Sequence, residues 1–544
     1  MRVFRARVSL ITVLIGAGLV LGLRAQSIKE LRLGLASVGL PPVDLGLRLD
    51  EIRGPGTSGA PKRQAIRASM QDAVAASRAR GARVLVKFIE GLPSAARLSA
   101  VADVSRGAVM ASAPAYADFD IVQVAPTEDA EAVALAFGDR SDVEYAQVAY
   151  PFQTMFVPND PLYAGSQWNL PMLNLEKAWD IQPQAGSSIT VAVLDSGMAY
   201  QNATFTPFLP AFTDEDGTRY PSLGRVTIPY SAAPQLVGAA GAGRLVAPHD
   251  FIWDDNEPFD FDGHGTHVSG TIGQLTNDGI GTAGVAFNVR LMPVKVLASE
   301  WDVIFGGSPD EGGSDDDVAR GIRYAADNGA KILNMSLGSS GPPDCATKPN
   351  QADCSPVIEA AMRYAVSKGC FITVAGGNEF EDTVPPFGTN PTSIVAEIAS
   401  RIPGAVSVAA VDRSKAHAYY SSTGSYIELS APGGSERGFG SNGFVRQQTF
   451  DFNFTDTFLL PPSQFVAPRF DVFGYIGYIG TSMAAPHVAG VAAMLMQQGV
   501  TDPAAIEELL EKTAVDLGNP GRDDTFGFGL VDARAALRGL GLAK

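Results

Sequence analysis

Gly480-Thr481-Ser482-Met483-Ala484-Ala485-Pro486-His487-Val488-Ala489-Gly490 is the stretch from which the rest of the chain is read. From Gly480 to about Gln497 the run is almost wholly small or apolar. Val488, Val491, Met494 and Leu495 recur at helical spacing, and Ala485, Ala489, Ala492 and Ala493 permit close approach. This predicts a central helix packed on most sides. Pro486 belongs in or near the first turn, where a backbone N–H has no helical acceptor, so the helix begins close to Ser482 and turns its positive end to that hydroxyl. Two readings follow: a presented nucleophile, or a serine that merely caps a core helix. Partners elsewhere in the chain decide between them.

Around this stretch, short β-branched runs recur at Ile189 to Leu194, Leu291 to Leu297, Lys331 to Met335, Phe371 to Ala375, Ala405 to Ala410 and Ile427 to Leu429. Amphipathic helices are expected at Asp316 to Asn328 and Pro356 to Lys368. Apolar strands alternating with helices predict an α/β fold, a parallel sheet covered on both faces, with reactive groups at the carboxyl ends of its strands. An aromatic stretch between Pro432-Gly433-Gly434 and Gly480 reads as a surface hairpin or loop. Asp502 to Ala536 reads as two helices around Gly518-Asn519-Pro520-Gly521. Upstream, strands at Arg83 to Ile89, Phe119 to Val124 and Val143 to Ala149 alternate with helices at Ser94 to Val104 and Glu128 to Phe137, which suits a small α+β sandwich.

The 544 residues carry a net charge of -17. That excludes nucleic acid or an anionic membrane as the main partner and leaves acidic loops suited to calcium. Arg2, Arg5 and Arg7 precede the apolar run Val8 to Leu21, and Leu23-Arg24-Ala25 resembles a cleavage site, so residues 1–25 read as a signal peptide for export, with a retained anchor as the alternative. Residues 26–80 read as a poorly ordered leader. Cys345 and Cys354 are expected to close a small-loop disulfide and Cys370 to be a buried free thiol, a reduced trio being the alternative.

Asp195 ends the strand Ile189 to Leu194, where a sheet stops and a loop starts. His264 lies between glycines in Asp262-Gly263-His264-Gly265-Thr266-His267, and His267 one turn later makes only a weak zinc pair. Taken singly, an aspartate of this kind is commonly a turn residue and a histidine a structural one. Together with Ser482 they form an Asp, His, Ser order embedded in Val193-Leu194-Asp195-Ser196-Gly197, His264-Gly265-Thr266-His267-Val268 and Gly480-Thr481-Ser482-Met483-Ala484-Ala485-Pro486.

On these motifs the chain resembles the subtilisin-like serine peptidases, the subtilases, over about Pro158 to Leu540. The resemblance implies that Ser482 attacks a peptide carbonyl, His264 shuttles its proton and Asp195 orients the imidazole. Asn378, in Val374-Ala375-Gly376-Gly377-Asn378-Glu379, matches the oxyanion donor. Ser336-Leu337-Gly338 matches the strand that pairs with an extended substrate, Gly312-Gly313-Ser314 the opposing one, and Gly376 and Gly377 the wall of the first specificity pocket. Residues 81–156 resemble a ferredoxin-like propeptide, an intramolecular chaperone and inhibitor, whose tail Tyr150 to Phe156 would lie in the cleft; 157–544 is then the peptidase domain. Asp160 and Asn277, the latter in Leu275 to Thr282, match calcium ligands; Asp254, Asp255, Asn256 and Asp260 read as a solvated acidic loop with a second calcium site as the alternative.

The chain departs from short family members near 201–246, 298–313 and 435–479, all three able to border the cleft. The resemblance implies a secreted endopeptidase acting on polypeptides, expected to be a monomer with its own propeptide as partner and no stable membrane partner. A catalytically idle binding or scaffold protein is the alternative. A serine esterase of the α/β-hydrolase type is excluded, because its Gly-x-Ser-x-Gly elbow and terminal histidine fit neither Ser482 nor His264.

Overall fold

The computed structural model describes residues 83–539, apart from 106–108, 112–116, 126–127, 129, 150–155, 214–216, 239–243, 309, 343–353 and 385. The signal peptide, the leader, most of the tail Tyr150 to Phe156 and Cys345 therefore lie outside the described residues. Cys354 is buried, and Cys370 is a buried free thiol.

The chain divides into two units, Met1–Phe152 and Gln153–Lys544. The first contains β1 (Arg83–Phe88), α1 (Ser94–Val104), β2 (Val109–Ala111), β3 (Asp120–Gln123), α2 (Ala130–Gly138) and β4 (Val143–Val148). Its antiparallel sheet runs β2-β3-β1-β4. Strand β1 alternates buried Val84, Val86 and Phe88 with more exposed neighbours, and the buried set packs on Ala100, Val101, Val133 and Phe137 of the two helices. The sequence reading missed β2, whose three residues are too few to show alternation.

The second unit is built on β5 (Thr190–Asp195), β6 (His249–Asp250), α3 (His264–Gly273), β7 (Arg290–Lys295), α4 (Glu300–Phe305), α5 (Asp315–Asp327), β8 (Ile332–Met335), α6 (Pro356–Ser367), β9 (Phe371–Ala375), α7 (Ile394–Ala399), β10 (Ala405–Val411), β11 (Leu429–Pro432), β12 (Val445–Phe450), β13 (Phe473–Tyr478), α8 (Thr481–Gln498), α9 (Pro503–Thr513) and α10 (Ala533–Gly539). Seven strands form one parallel sheet in the order β6-β7-β5-β8-β9-β10-β11. The period of two assigns its faces. Val191 and Val193 of β5 join the core of α8, whereas Ala192 and Leu194 join the core beneath α5, α6 and α7. The chain leaves β5 for β6 and then β7 on one side and later adds β8 on the other, so β5 is the switch point and Asp195 stands at its carboxyl end.

The three insertions meet one another. Residues 203–230 make a long hairpin of three short ladders, pairing Phe205 with Ile228, Leu209 with Gly224 and Thr213 with Arg219. Its Tyr230 bridges Phe470, and Trp301 of α4 donates to Thr455 O at 3.0 Å. The stretch 435–479 does hold a hairpin, β12 with β13, but it is not a surface one. Val445, Gln447, Thr449 and Phe450 are buried, with Thr449 Oγ1 donating to Gly263 O and Gln447 Nε2 to Ala283 O. Burying polar residues with full hydrogen-bond partners is what hid this strand from a hydrophobic-pattern reading.

Candidate active site

Pairing of β5 with β7 puts Asp195 opposite Lys295 at the sheet end, while α3 starts at His264 after Gly263 in the left-handed region. Asp260, fully buried, fixes the approach. Its Oδ1 accepts from Ser196 Oγ, Asp262 N and Gly263 N, and its Oδ2 from Thr266 N and Oγ1. It is thus a turn organiser rather than a member of the solvated acidic loop. A Cβ on Gly265 would fall 2.1 Å from Gly197 O, so only glycine lets α3 come this close to the Asp195 loop.

The result is a hydrogen bond of 2.7 Å between His264 Nδ1 and Asp195 Oδ1. The Asp195 side chain is fully buried and that of His264 is 27% exposed. Burial favours the neutral imidazole, but the Asp195 carboxylate, helped by Asp262 and Asp260, outweighs it and pushes the His264 pKa up to about 9. His267 Nε2 lies 3.2 Å from Ile476 O, its ring stacks on Tyr478 at 4.4 Å, and burial pushes its pKa down to about 3.

Ser482 is the second residue of α8 and is half-buried between buried Thr481 and Met483. Its Oγ donates to Ser336 O at 3.2 Å, so among the described residues it forms no hydrogen bond with His264. Asn378 follows β9. Its Oδ1 accepts from Thr481 N and Thr481 Oγ1, both at 2.9 Å. Because a backbone N–H can only donate, the oxygen must face Thr481, which leaves the Nδ2 donors for another acceptor. Thr481 was missed by the sequence reading, although its place one residue before the serine was a signal.

Ser336 lies immediately after β8 and touches Ser482 through both its hydroxyl and its carbonyl. Leu337 and Gly338 continue outward from it. Gly312 pairs with Ala298 through N–H and C=O at 2.9 and 2.7 Å; Gly313 packs so closely on Val296 O that a Cβ would fall 2.2 Å away; Ser314 caps α5 by accepting from Asp317 N. Gly376 packs on Val408 O and Ile427. Gly377, at φ 108°, donates to Thr481 Oγ1 and would place a Cβ 2.7 Å from Ser422 Oγ.

Asp160 and Asn277 also meet. Asp160 Oδ2 accepts from Asn277 N at 2.7 Å, Asn277 Oδ1 accepts from Asn159 N at 3.2 Å, and Gly279 N donates to Asn159 Oδ1 at 2.8 Å. Among the described residues Asp160 Oδ1 is buried without a donor, and burial raises the Asp160 pKa. A buried carboxylate oxygen lacking a donor, in a loop of hard oxygen groups, fits a calcium ion. Gln235, from the first insertion, donates to Asp278 of the same loop at 3.2 Å, and its Oε1 is likewise buried and, among the described residues, unpartnered. Nothing in the sequence around it signalled this.

The profile of the subtilase family matches residues 186–529. Relatives include a thermophilic serine proteinase from Bacillus sp. (strain AK1), 28% identical over 84% of this chain and 86% of the relative. An extracellular protease from Xanthomonas campestris pv. campestris is 30% identical over 75% of this chain and 61% of its own length, and thermitase from Thermoactinomyces vulgaris is 27% identical over 67% and 94%. With the family's match covering more than half of the chain, the chain belongs to the subtilase family and is a serine-type endopeptidase.

Proposed function

We propose that the chain is an exported endopeptidase, made as a precursor, in which Ser482 is the nucleophile, His264 the general base and acid, Asp195 the orienting carboxylate and Asn378 an oxyanion donor. The observation that carries this is the 2.7 Å Asp195–His264 bond, in which a fully buried carboxylate holds a partly exposed imidazole. A serine hydroxyl needs such a base within reach to become nucleophilic. Rotation about the Ser482 Cα–Cβ bond releases Oγ from Ser336 O and turns it to the imidazole.

In the reaction, His264 takes the Ser482 proton as Oγ bonds to the peptide carbonyl, then returns it to the leaving amine. The Asn378 NH2, oriented through Thr481, and the Ser482 N–H receive the negative oxygen. An extended substrate pairs with Ser336 to Gly338 on one side. On the other it meets Gly313, since Gly312 already holds Ala298 with both backbone groups. Asp160 and Asn277, with Gln235, are the residues that would hold calcium, tying the start of the peptidase unit to residues 275–281.

The first unit, with sheet order β2-β3-β1-β4, acts in this reading as propeptide and inhibitor, removed by the enzyme itself. Extracellular action is supported by the relatives named as extracellular, and among the described residues no helix is long and apolar enough to cross a membrane. The test is expression of wild type beside Ser482→Ala in a host lacking related peptidases. The wild type should mature and take up a fluorophosphonate label, and Ser482→Ala should accumulate unlabelled precursor. Normal maturation of Ser482→Ala would remove self-processing, and an unlabelled, inactive wild type would return the idle scaffold.

A further inference from the structure

We infer that an aromatic pocket built partly on the segment leading into His264 takes a lysine or arginine side chain of the polypeptide substrate, an inference that rests on the peptidase reading above. The pocket has a volume of about 360 Å³ and is built from three separate stretches. Phe205 comes from the first insertion, Trp253, Phe259 and Phe261 from the segment leading into His264, and Phe305 from the end of α4. Asp255 and Glu257 add two exposed carboxylates to this lining. Among the described residues neither forms an ion pair with a lysine or arginine of the chain.

The walls are fixed before any ligand arrives. Phe205 meets Phe259 and Phe261 edge to face at 4.9 and 5.2 Å, Phe261 meets Phe305 at 5.4 Å, and Phe259 and Phe261 are each only 5% exposed. Trp253 Nε1 donates to Asp302 Oδ1 at 2.8 Å, which ties the indole to α4. The pocket also belongs to the same rigid piece as the base. Asp260 lies between Phe259 and Phe261, and its bonds to Ser196, Gly263 and Thr266 fix both the Asp195 loop and the start of α3 at His264.

Aromatic faces attract a cation through their electron-rich centres, and the carboxylates add a charge of matching sign. An apolar side chain would satisfy the rings but leave the negative field unanswered. A glutamate would be repelled by it. A long aliphatic stem ending in an ammonium or guanidinium meets both demands.

The test uses the matured protein and a peptide set that differs at one position at a time between Arg, Lys, Gln and Glu. At one position, Arg and Lys should exceed Gln in kcat/KM by about tenfold, the scale of a cation held by aromatic faces and a charge partner. That ratio should fall severalfold in Asp255→Asn/Glu257→Gln, to the share left by the rings, and shrink as salt rises. Both residues are exposed, and a thermal melt checks that the variant is folded. In parallel, Ser482→Ala protein is titrated with the Arg and Gln versions of the same peptides, where the Arg version should bind more tightly and lose most of its advantage in the triple variant. No basic preference in either assay overturns the inference, as does a preference that Asp255→Asn/Glu257→Gln leaves undiminished. Arg-selective binding without cleavage of any peptide would uphold the pocket and sink the peptidase reading instead.

Discussion

Ser336 and Ser482 exchange two hydrogen bonds: Ser336 Oγ donates to Ser482 O at 2.8 Å, and Ser482 Oγ donates to Ser336 O at 3.2 Å. The reason lies four residues on. Pro486 has no N–H, so the Ser482 carbonyl lacks its helical donor, and the Ser336 hydroxyl supplies one. Ser336→Ala should therefore cost about 1–3 kcal/mol, the scale of a buried carbonyl left unsatisfied. Pro486→Ala returns an N–H to that carbonyl, so Ser336→Ala should cost less in that background. Thermal unfolding of the four proteins in a Ser482→Ala background, which prevents autolysis, measures the coupling. Additive costs would separate the two residues.

The Asn378 amide is held by Thr481 rather than by substrate. Asn378→Ala should lower kcat about a hundred- to a thousandfold, a magnitude known from the oxyanion asparagine of subtilisin itself, with KM little changed. Thr481→Val removes the Oγ1 donor but keeps the N–H, so the amide loosens. A fall in kcat of roughly fivefold is expected, equivalent to about 1 kcal/mol. Loss in KM alone, for either variant, would place the asparagine in substrate binding instead.

In the proposed mechanism His264 acts as base only when neutral, and its pKa is pushed up to about 9. Below that value kcat/KM should climb close to tenfold per pH unit and level off near pH 9. Asp262→Asn removes one of the carboxylates that raise the pKa and should move the midpoint down. Stability should run the other way. The folded pKa lies above the ordinary value of 6.5, so the contribution of the Asp195–His264 pair is fully present below pH 6.5 and lost as pH rises through about 9. Activity and melting temperature should thus cross, which paired pH series would show.

Much of this site was legible because its chemistry sits in contiguous text. Asp195 ends an apolar strand, His264 sits between glycines, and Ser482 opens an alanine-rich helix; each position follows from local pattern, and the structure brings Asp195 to His264 and Ser336 to Ser482. What stayed hidden depends on contacts between distant segments. Gln235 and Thr481 act through single polar bonds that leave no periodic trace. The hairpin β12–β13 was misplaced at the surface because its buried side chains include Gln447, Gln448 and Thr449, each satisfied by residues far away in the sequence.

Lys295 and Asp302 form an ion pair of 2.9 Å with both side chains fully buried. Lys295 Nζ also donates to Ser196 O at 2.6 Å, so the pair joins α4 to the residue after Asp195. Lys295→Met strands the Asp302 charge beside buried Asp250 and should cost about 3–5 kcal/mol. Lys295→Met with Asp302→Asn removes that charge as well, so it should recover part of the loss. Its kcat should still fall below wild type, since Ser196 O no longer has its donor. Denaturant unfolding and steady-state kinetics on the same two variants separate these effects.

Glu428, Glu507 and Glu511 bring their carboxylates within 4.8 Å of one another where α9 packs against β10. Glu428 Oε2 accepts from Ser407 N at 2.9 Å, and Glu507 accepts from Gly404 N. Burial pushes the Glu428 pKa up to about 8 and that of Glu511 up to about 7, with the neighbouring glutamates adding to both, while Arg522 pulls Glu511 partly back. Carboxyls whose folded pKa exceeds the ordinary 4.5 hold protons that the unfolded chain releases. Their contribution is therefore fully present below pH 4.5 and declines as pH rises through 7 and 8, so the packing of α9 should soften toward alkaline pH. Glu428→Gln keeps the shape without the titration. In Ser482→Ala protein its melting temperature should fall less than that of the parent between pH 6 and 9. Hydrogen exchange in 503–513 should show the same contrast, and equal slopes for the two proteins would assign the alkaline loss to other groups.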